Sequence, residues 1–219
     1  MRVWLLRDSG QFWPSICHYM NAAPTSITYC HDKRYLDNVI TCHVITVCVR
    51  LLFVGVEDGS VEEWSLARDY NRMDSVRVYH AHQARVTGTC HAPATSWLLS
   101  TGRDKYFYFH CTETGKRLGG YMCSAWCTSL AYDDEAQYVF IGDYSGAITV
   151  CKLEQGGLQF INTLKGHSGS IQCLAWDGVR NWLYSGSYDA SVFVWDIGGR
   201  RGTVYELHGH RSKASANIF

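Results

Sequence analysis

The 219-residue sequence predicts an all-β protein built from repeated antiparallel sheets, and the stretch from Gly166 to Asp196 carries most of that prediction. Three short runs in this stretch alternate apolar with other residues at a period of two, as half-buried strands do. A Gly-His pair opens the stretch and a Trp-Asp pair closes it. Strands of this kind between these two pairs, in a repeat of about 40–45 residues, are the signature of a WD-repeat β-propeller blade.

Within that stretch, the spacing of four residues allows a single hydrogen-bonded chain: His167, Ser185, Asp189 and Trp195. In WD repeats the indole N–H donates to the hydroxyl, the hydroxyl meets the imidazole, and the carboxylate accepts from the other ring nitrogen. Each polar group is thereby satisfied in a partly buried position, where an unpaired group would cost about 1–3 kcal/mol. We therefore predict that these residues form a structural tetrad.

The same residue types could also form a nucleophilic Ser-His-Asp triad. A catalytic serine usually lies in an exposed G-x-S-x-G turn, and the sequence contains no such turn. Ser185 instead lies within an apolar strand pattern. We therefore predict no catalytic residue and no enzymatic activity.

The composition indicates a single domain without the charge of a nucleic-acid-binding protein. The chain has 20 basic and 20 acidic residues, only three prolines and no low-complexity tract. A balanced charge gives no net attraction to nucleic acid or to an anionic membrane. We therefore expect no nucleic acid as a partner.

The sequence contains ten cysteines, and from their positions and the N-terminal sequence we expect a cytoplasmic protein. No charged-then-apolar leader begins the sequence, and most cysteines fall in strand-like runs, where a reduced cysteine packs as a small apolar residue. Two groups could be considered as zinc ligands: Cys123, Cys127 and His110, or Cys42, His43 and Cys48. Neither group has paired C-x-x-C spacing, so we predict no metal and no cofactor.

The first part of the chain predicts half of a blade, followed by a blade that is too long. Met1–Trp4 has the pattern of a third strand, and a fourth strand is expected near residues 12–19. The next blade is expected from Thr25 to Tyr79. Its excess over the repeat length falls on an insertion at residues 37–52, Asp37–Leu52, which belongs to no expected strand. The insertion is either a functional loop or a sequence artefact such as a retained short intron.

The rest of the chain predicts three further blades. One contains a partial tetrad, with His82, Ser100 and Asp104 in the expected places and His110 in the place of the tryptophan. The blade at residues 126–164 lacks both the histidine and the tryptophan. Four full four-stranded blades and a half blade cannot close a ring. We therefore predict an incomplete propeller in residues 1–211, shaped as an open arc, and an unstructured tail in residues 212–219.

Several runs outside the general repeat pattern are more specific, namely RVWLLRDSGQFWP (2–14), STGRDK (100–105), FIGDYSG (140–146) and VWDIGGRRG (194–202). Over about residues 2–211, apart from the insertion, the chain resembles the WD-repeat and FYVE domain-containing proteins. The resemblance implies a seven-bladed propeller combined with a zinc-binding FYVE finger, which recognises phosphatidylinositol 3-phosphate on early endosomes. It also implies that the propeller is a scaffold for signalling kinases or adaptors.

The sequence departs from that family pattern in one respect. A FYVE finger needs paired C-x-x-C ligands and a basic R-[RK]-H-H-C-R run, and neither string occurs in these 219 residues. We therefore expect no direct membrane or phosphoinositide binding by this chain, and early endosome association only in full-length members of the family. The function that the resemblance implies is a non-enzymatic protein–protein interaction scaffold of the endosomal signalling and trafficking type.

A ubiquitin-ligase substrate receptor is the alternative function, because it is another common role of WD propellers. Such receptors often have an arginine two residues after the Trp-Asp pair, and Gly198 occupies that place here. In either role, exposed aromatic and arginine residues often anchor an interface. The candidate partner-binding residues therefore lie in the turns between the second and third strands of the blades: Arg103, Lys105, Tyr144 and Tyr188.

Overall fold

All regular elements in the described part of the chain are β-strands. The computed structural model describes residues 2–6, 12–31, 50–67, 71–154, 156–198, 204–207, 209 and 212–214. The strands form one two-stranded sheet and four four-stranded antiparallel sheets, in which strands adjacent in sequence pair with each other. The predicted all-β arrangement of four full blades and a half blade is therefore confirmed, and the sheets do not close into a ring.

The strands are assigned to blades in chain order. The half blade contains β1 (Arg2–Leu6) and β2 (Phe12–Cys17). Blade two contains β3 (Pro24–His31), β4 (Arg50–Val56), β5 (Ser60–Leu66) and β6 (Met73–His80). Blade three contains β7 (Val86–Ala92), β8 (Trp97–Gly102), β9 (Tyr106–Cys111) and β10 (Arg117–Met122). Blade four contains β11 (Cys127–Asp133), β12 (Tyr138–Asp143), β13 (Ile148–Glu154) and β14 (Gly157–Leu164). Blade five contains β15 (Ile171–Asp177), β16 (Trp182–Ser187), β17 (Val192–Asp196) and β18 (Val204–Leu207).

The apolar core lies between neighbouring blades. Phe107 and Phe109 of β9 pack against Val139 and Ile141 of β12, and all four side chains are buried. Blades four and five meet in the same way through a cluster that includes Phe140, Ile148, Ile171, Leu183 and Trp195. Because each such cluster joins two sheets, a blade is stabilised mainly by its neighbours rather than by its own polar groups.

At two blade junctions, the first strand of a blade approaches the second strand of the preceding blade very closely at a glycine. A Cβ atom added at Gly55 would lie 2.6 Å from Cγ1 of Val86, and one at Gly142 would lie 2.6 Å from Cγ2 of Ile171. Only a residue without a side chain leaves room for the neighbouring strand at these positions.

The same contact recurs at the end of blade five, with a residue of the predicted tail. A Cβ atom added at Gly186 would lie 3.1 Å from Cβ of Ala214. Ala214 is 5% exposed, and its N–H donates to the carbonyl oxygen of Ser187 at 3.0 Å. Ala214 therefore takes the place that Val86 and Ile171 take against the earlier blades. The prediction of an unstructured tail is wrong for this residue, and residues 215–219 lie outside the described residues.

The predicted insertion is also shorter than expected at its C-terminal end. Strand β4 begins at Arg50, and Leu52 is buried opposite Tyr29 on β3 and Trp64 on β5. The prediction that residues 37–52 belong to no strand is therefore wrong for residues 50–52. Residues 37–49 lie outside the described residues.

The other blades show how long the first hairpin of a blade should be. The last pairs between the first and second strands are Ala92 with Trp97, Asp133 with Tyr138, and Asp177 with Trp182, so residues 93–96, 134–137 and 178–181 connect them. In each case the fourth connecting residue has a positive φ: Ser96, Gln137 and Asn181. An aromatic residue then begins the second strand.

In blade two the equivalent pair is Cys30 with Leu51. Removing residues 37–52 would leave residues 31–34 as a four-residue connection and would place Tyr35 where the other blades have Trp97, Tyr138 and Trp182. The remaining sequence thus has the length and the aromatic residue of a regular first hairpin.

We predict that deleting residues 37–52 stabilises the protein. Closing a connection of about one fifth the length should raise the free energy of unfolding by about 1–2 kcal/mol, with a higher melting temperature in a thermal denaturation experiment. Deleting residues 36–52 is the matched control, because one further residue forces a shorter connection or a one-residue slip that turns side chains to the opposite face. A melting temperature for the first deletion that equals or falls below that of the intact chain would contradict the prediction.

Candidate functional site

The four predicted tetrad residues of blade five form one hydrogen-bonded chain. Nε1–H of Trp195 on β17 donates to Oγ of Ser185 on β16 at 2.8 Å, and that Oγ lies 2.8 Å from Nε2 of His167. Nδ1 of the same histidine lies 3.1 Å from Oδ2 of Asp189 in the turn between the two strands. Every member is thus held between two elements of the same blade.

The aspartate end of this tetrad has several hydrogen-bond partners. Nδ1 of His167 lies within hydrogen-bond distance of both Oδ2 of Asp189 and Oγ of Ser191, at 3.1 and 3.0 Å. Burial is the largest single influence on the Asp189 carboxyl and opposes its ionisation. Hydrogen bonds from Ser191, from the backbone N–H of Ser168 and from His167 together outweigh it and lower the pKa of Asp189 well below its usual range. The carboxylate is therefore ionised and fully engaged.

Blade three holds a shorter version of this chain. Nδ1 of His82 lies 2.9 Å from Oδ1 of Asp104, and Nε2 lies 3.0 Å from Oγ of Ser100. His110 replaces the tryptophan, and its buried Nδ1 has no hydrogen-bond partner among the described residues. Burial lowers the pKa of His82, and burial together with Arg117 and His82 lowers the pKa of His110 to about 4. Both rings are neutral at pH 7.

Strand register identifies the residues at the same positions in the other two blades. Trp195 pairs with Leu183, and the equivalent pairs are His110 with Leu98, Cys151 with Val139, and Trp64 with Leu52. The tetrad positions of blade four are therefore occupied by Cys123, Ile141, Ser145 and Cys151. Those of blade two are occupied by Met20, Val54, Asp58 and Trp64.

Sequence reasoning missed the role of Cys123 in blade four. The signal was present, because Cys123 stands four residues before the first strand, as His82 and His167 do. Cys123 and Cys127 pack in the apolar cluster between blades three and four, and burial raises the pKa of Cys151 to about 12. Thiols here fill the space that imidazole and indole rings fill elsewhere.

No metal centre is formed by the part of the chain that the structure describes, in which no group of three or more His, Cys, Asp or Glu side chains could hold an ion. The candidate ligands Cys123, Cys127 and His110 lie within this part. Cys42, His43 and Cys48 lie outside the described residues.

The tetrad has no access to a substrate. Ser185 is 0% exposed, and His167 stacks on Phe193 with ring centroids 4.2 Å apart. A nucleophile must reach a substrate atom, whereas this hydroxyl is enclosed between an indole and an imidazole. The arrangement can stabilise the blade but cannot attack a bound molecule.

We predict that Trp195→Ala is strongly destabilising, because it removes a buried aromatic ring and the N–H donor to Ser185. The expected loss in a urea titration is about 3–5 kcal/mol. Trp126→Ala is the matched control, because Trp126 is half exposed and should cost about 1 kcal/mol or less. Equal losses in the two variants would show that Trp195 does not contribute through burial.

The candidate partner-binding residues lie in two places. Arg103 and Tyr144 line one depression, to which blades two to five all contribute residues, and Lys105 and Tyr144 line a second one beside it. Tyr188 lies apart, in a pocket of blade five that Lys213 also lines. The structure therefore brings together three of the four residues that the sequence indicated.

Two further residues belong to the same place, and together with the three they make up the aromatic–basic surface: Arg85, Arg103, Lys105, Trp126 and Tyr144. Sequence reasoning missed Arg85 and Trp126, because both directly precede a first strand rather than lie in a turn between a second and a third strand. Backbone hydrogen bonds join the turn after the second strand to the residue before the first strand of the same blade. N–H of Arg103 donates to the Arg85 carbonyl, and N–H of Tyr144 donates to the Trp126 carbonyl, both at 2.9 Å.

The centre of the aromatic–basic surface is a pair of exposed rings. Trp126 is 48% exposed and Tyr144 is 61% exposed, and their ring centroids lie 5.7 Å apart at an interplanar angle of 56°. The depression on the arginine side has a volume of about 240 Å³, and the one on the lysine side about 370 Å³. Large exposed aromatic residues beside arginine are the residue types that anchor protein interfaces.

Within the described ranges, no helix has the length and hydropathy needed to span a bilayer.

Comparison with known proteins agrees with the blade assignment. The family "WD domain, G-beta repeat" matches residues 73–110 and 158–196. Each match covers the fourth strand of one blade and the first three strands of the next. Two solved structures, "Structure of U3-55K" and "Crystal structure of RRP9 WD40 repeats", each superpose with a TM-score of 0.71, at 15% and 16% identity, over 90% of this chain and 55% of theirs. The fold of the chain is thus that of an open WD-repeat β-propeller.

The relatives by sequence are more specific. WD repeat and FYVE domain-containing protein 1 of Mus musculus is 43% identical over 99% of this chain, and protein 2 of Homo sapiens is 44% identical over 95%. Protein 2 of Caenorhabditis elegans is 36% identical over 98%. The chain spans about half the length of these curated relatives, 48–49%. It is a homologue of the WD repeat and FYVE domain-containing proteins, and the resemblance predicted from its sequence is confirmed.

Proposed function

We propose that this chain is a non-enzymatic protein–protein interaction scaffold of the endosomal signalling and trafficking type. The observation that carries the proposal is the homology to WD repeat and FYVE domain-containing proteins, at 43–45% identity over 94–99% of the chain. WD repeats generally bind proteins, and the aromatic–basic surface has the residue types of a protein interface.

The tetrad supports a scaffold rather than an enzyme. A catalytic triad needs a serine that substrate can reach, and Ser185 is buried beneath Trp195. His167 keeps both ring nitrogens in hydrogen bonds within its own blade. The residue types of a hydrolase are therefore present, but a substrate cannot reach them.

We expect no esterase activity from the chain. Hydrolysis of p-nitrophenyl acetate should proceed at the same rate with the intact protein and with Ser185→Ala. A rate that falls to the uncatalysed level in the variant, while its circular dichroism spectrum stays unchanged, would overturn the non-enzymatic proposal.

The proposed partners are signalling kinases or adaptor proteins. The names of the relatives include a FYVE domain. Its zinc-ligand and basic lipid-binding strings do not occur in these 219 residues. We propose that early endosome association belongs to the full-length family members, and that this chain has no direct phosphoinositide contact and binds no nucleic acid.

The ubiquitin-ligase alternative has weaker support. The arginine that would follow the Trp-Asp pair is replaced by Gly198, where an added Cβ atom would lie 2.8 Å from Cβ of Asn181. The backbone N–H groups of Ile197 and Gly198 both donate to the Asn181 carbonyl, which holds the chain close to that residue. The position has no room for a larger side chain unless Asn181 moves.

Affinity purification of the tagged chain from cell extract, with mass spectrometry of the bound proteins, tests the proposal. We expect kinases or adaptor proteins, and fewer of them with the variant Trp126→Ala. Cullin-ligase components would support the alternative instead. In the same preparation, co-sedimentation with phosphatidylinositol 3-phosphate vesicles should not exceed that with phosphatidylcholine vesicles, and an excess would contradict the absence of lipid contact.

A further inference from the structure

We propose that the aromatic–basic surface binds an acidic peptide segment in which an apolar side chain is flanked by carboxylates. The inference rests on the proposed scaffold function and specifies the chemistry of its partner. The apolar side chain would pack on the ring pair of Trp126 and Tyr144. The flanking carboxylates would lie against Arg85 and Arg103 on one side and Lys105 on the other.

The local charge of this surface differs from the charge of the whole chain. The chain is balanced overall, yet three cationic side chains line the two depressions. Among the described residues, no aspartate or glutamate lines either depression. A cluster of charged side chains of one sign attracts a partner of the opposite charge and orients it on approach.

The carboxylates beside this surface do not neutralise its positive charge. Asp143 is 0% exposed and accepts from the hydroxyls of Ser124 and Ser145. The side chain of Asp104 is 10% exposed and is engaged with His82. Their oxygens therefore point into the blades, and the cationic groups meet solvent.

The ring pair gives the site its apolar centre. The depression between Lys105 and the two rings is otherwise lined by Ser124 and Ala125, so little polar surface faces a ligand there. A side chain that covers both rings removes apolar area from water between the arginine side and the lysine side of the surface. An aromatic or large aliphatic residue of the peptide suits this position.

The depression on the arginine side suits a carboxylate. Its floor contains Thr25, Thr87, Thr128 and Ser170, at the starts of first strands or just before them. Arg85 and Arg103 are both exposed at this depression, and their guanidinium groups give an anionic oxygen both charge and hydrogen-bond donors.

A peptide fits these observations better than a nucleic acid does. Stacking on aromatic rings beside cations is also used to bind single-stranded RNA. Tight binding of a polyanion needs many phosphate contacts along an extended track, whereas this surface has three cations around two compact depressions. The size of the site matches two or three side chains.

Fluorescence anisotropy with defined probes tests the proposal on the full chain. The probe is a fluorescein-labelled peptide, Glu-Glu-Phe-Glu-Glu. The comparison ligands are Gln-Gln-Phe-Gln-Gln, Glu-Glu-Ala-Glu-Glu and a five-nucleotide uridine oligomer. We expect the acidic phenylalanine peptide to saturate the protein below about 1 mM and each comparison ligand to bind at least about fivefold more weakly. Binding should weaken as salt is raised, since its charges are exposed.

Variants locate the site. Arg103→Glu should weaken binding of the acidic peptide by about tenfold or more, and Trp126→Ala should weaken it by a similar factor. Lys116→Glu is the matched control, because Lys116 is an exposed cation in the turn at the other end of β9 and should leave binding unchanged. Thermal melts of all three variants establish that they are folded. Tyr144→Ala provides a second test if Arg103→Glu does not fold.

Three results would overturn the proposal: no saturation by the acidic peptide, tighter binding of the uridine oligomer, or an equal effect of Lys116→Glu and Arg103→Glu. The affinity purification described above separates this failure from a failure of the scaffold function. If kinases or adaptors are captured equally by the intact chain and by Arg103→Glu, the scaffold function holds and this surface is not its peptide site.

Discussion

The close approach of a blade to the segment that follows it is the constraint on which much of the structure depends. At Gly55, Gly142 and Gly186 an added Cβ atom would lie 2.6–3.1 Å from a side-chain atom of Val86 on β7, Ile171 on β15 or Ala214. This approach brings neighbouring sheets near enough for their apolar faces to interlock. It also explains why blade four keeps its shape although Cys123, Ile141 and Cys151 replace the histidine, the serine and the tryptophan of the tetrad.

Much of the fold could be predicted from the sequence because its signals are local. Alternating polarity and the Gly-His and Trp-Asp pairs indicated the blades. The spacing around Ser185 indicated a hydrogen-bonded tetrad, and in the structure Ser185 Oγ lies 2.8 Å from both His167 Nε2 and Trp195 Nε1. What could not be predicted depends on pairing between distant segments. Leu52 was assigned to the insertion because its partners Tyr29 and Trp64 are known only from strand register. Trp126 was missed because its neighbour Tyr144 belongs to a different turn.

The aromatic–basic surface and the first hairpins lie at opposite ends of the strands. Arg103 and Tyr144 follow the ends of β8 and β12, whereas the connection in blade two that carries extra residues precedes the start of β4. Changes in the length of a first hairpin therefore occur at the end of a blade that does not carry the surface. The two properties, repeat length and surface chemistry, can vary independently in this architecture.

The buried thiols at the tetrad positions of blade four allow the opening of this blade to be detected by thiol modification. Cys151 is 0% exposed, and burial raises the pKa of its thiol to about 12, so an alkylating reagent reacts with it only when the blade separates from its neighbours. The same positions of blades three and five hold histidine, serine and aspartate instead of thiols. Alkylation at these positions therefore reports the opening of blade four rather than that of its neighbours.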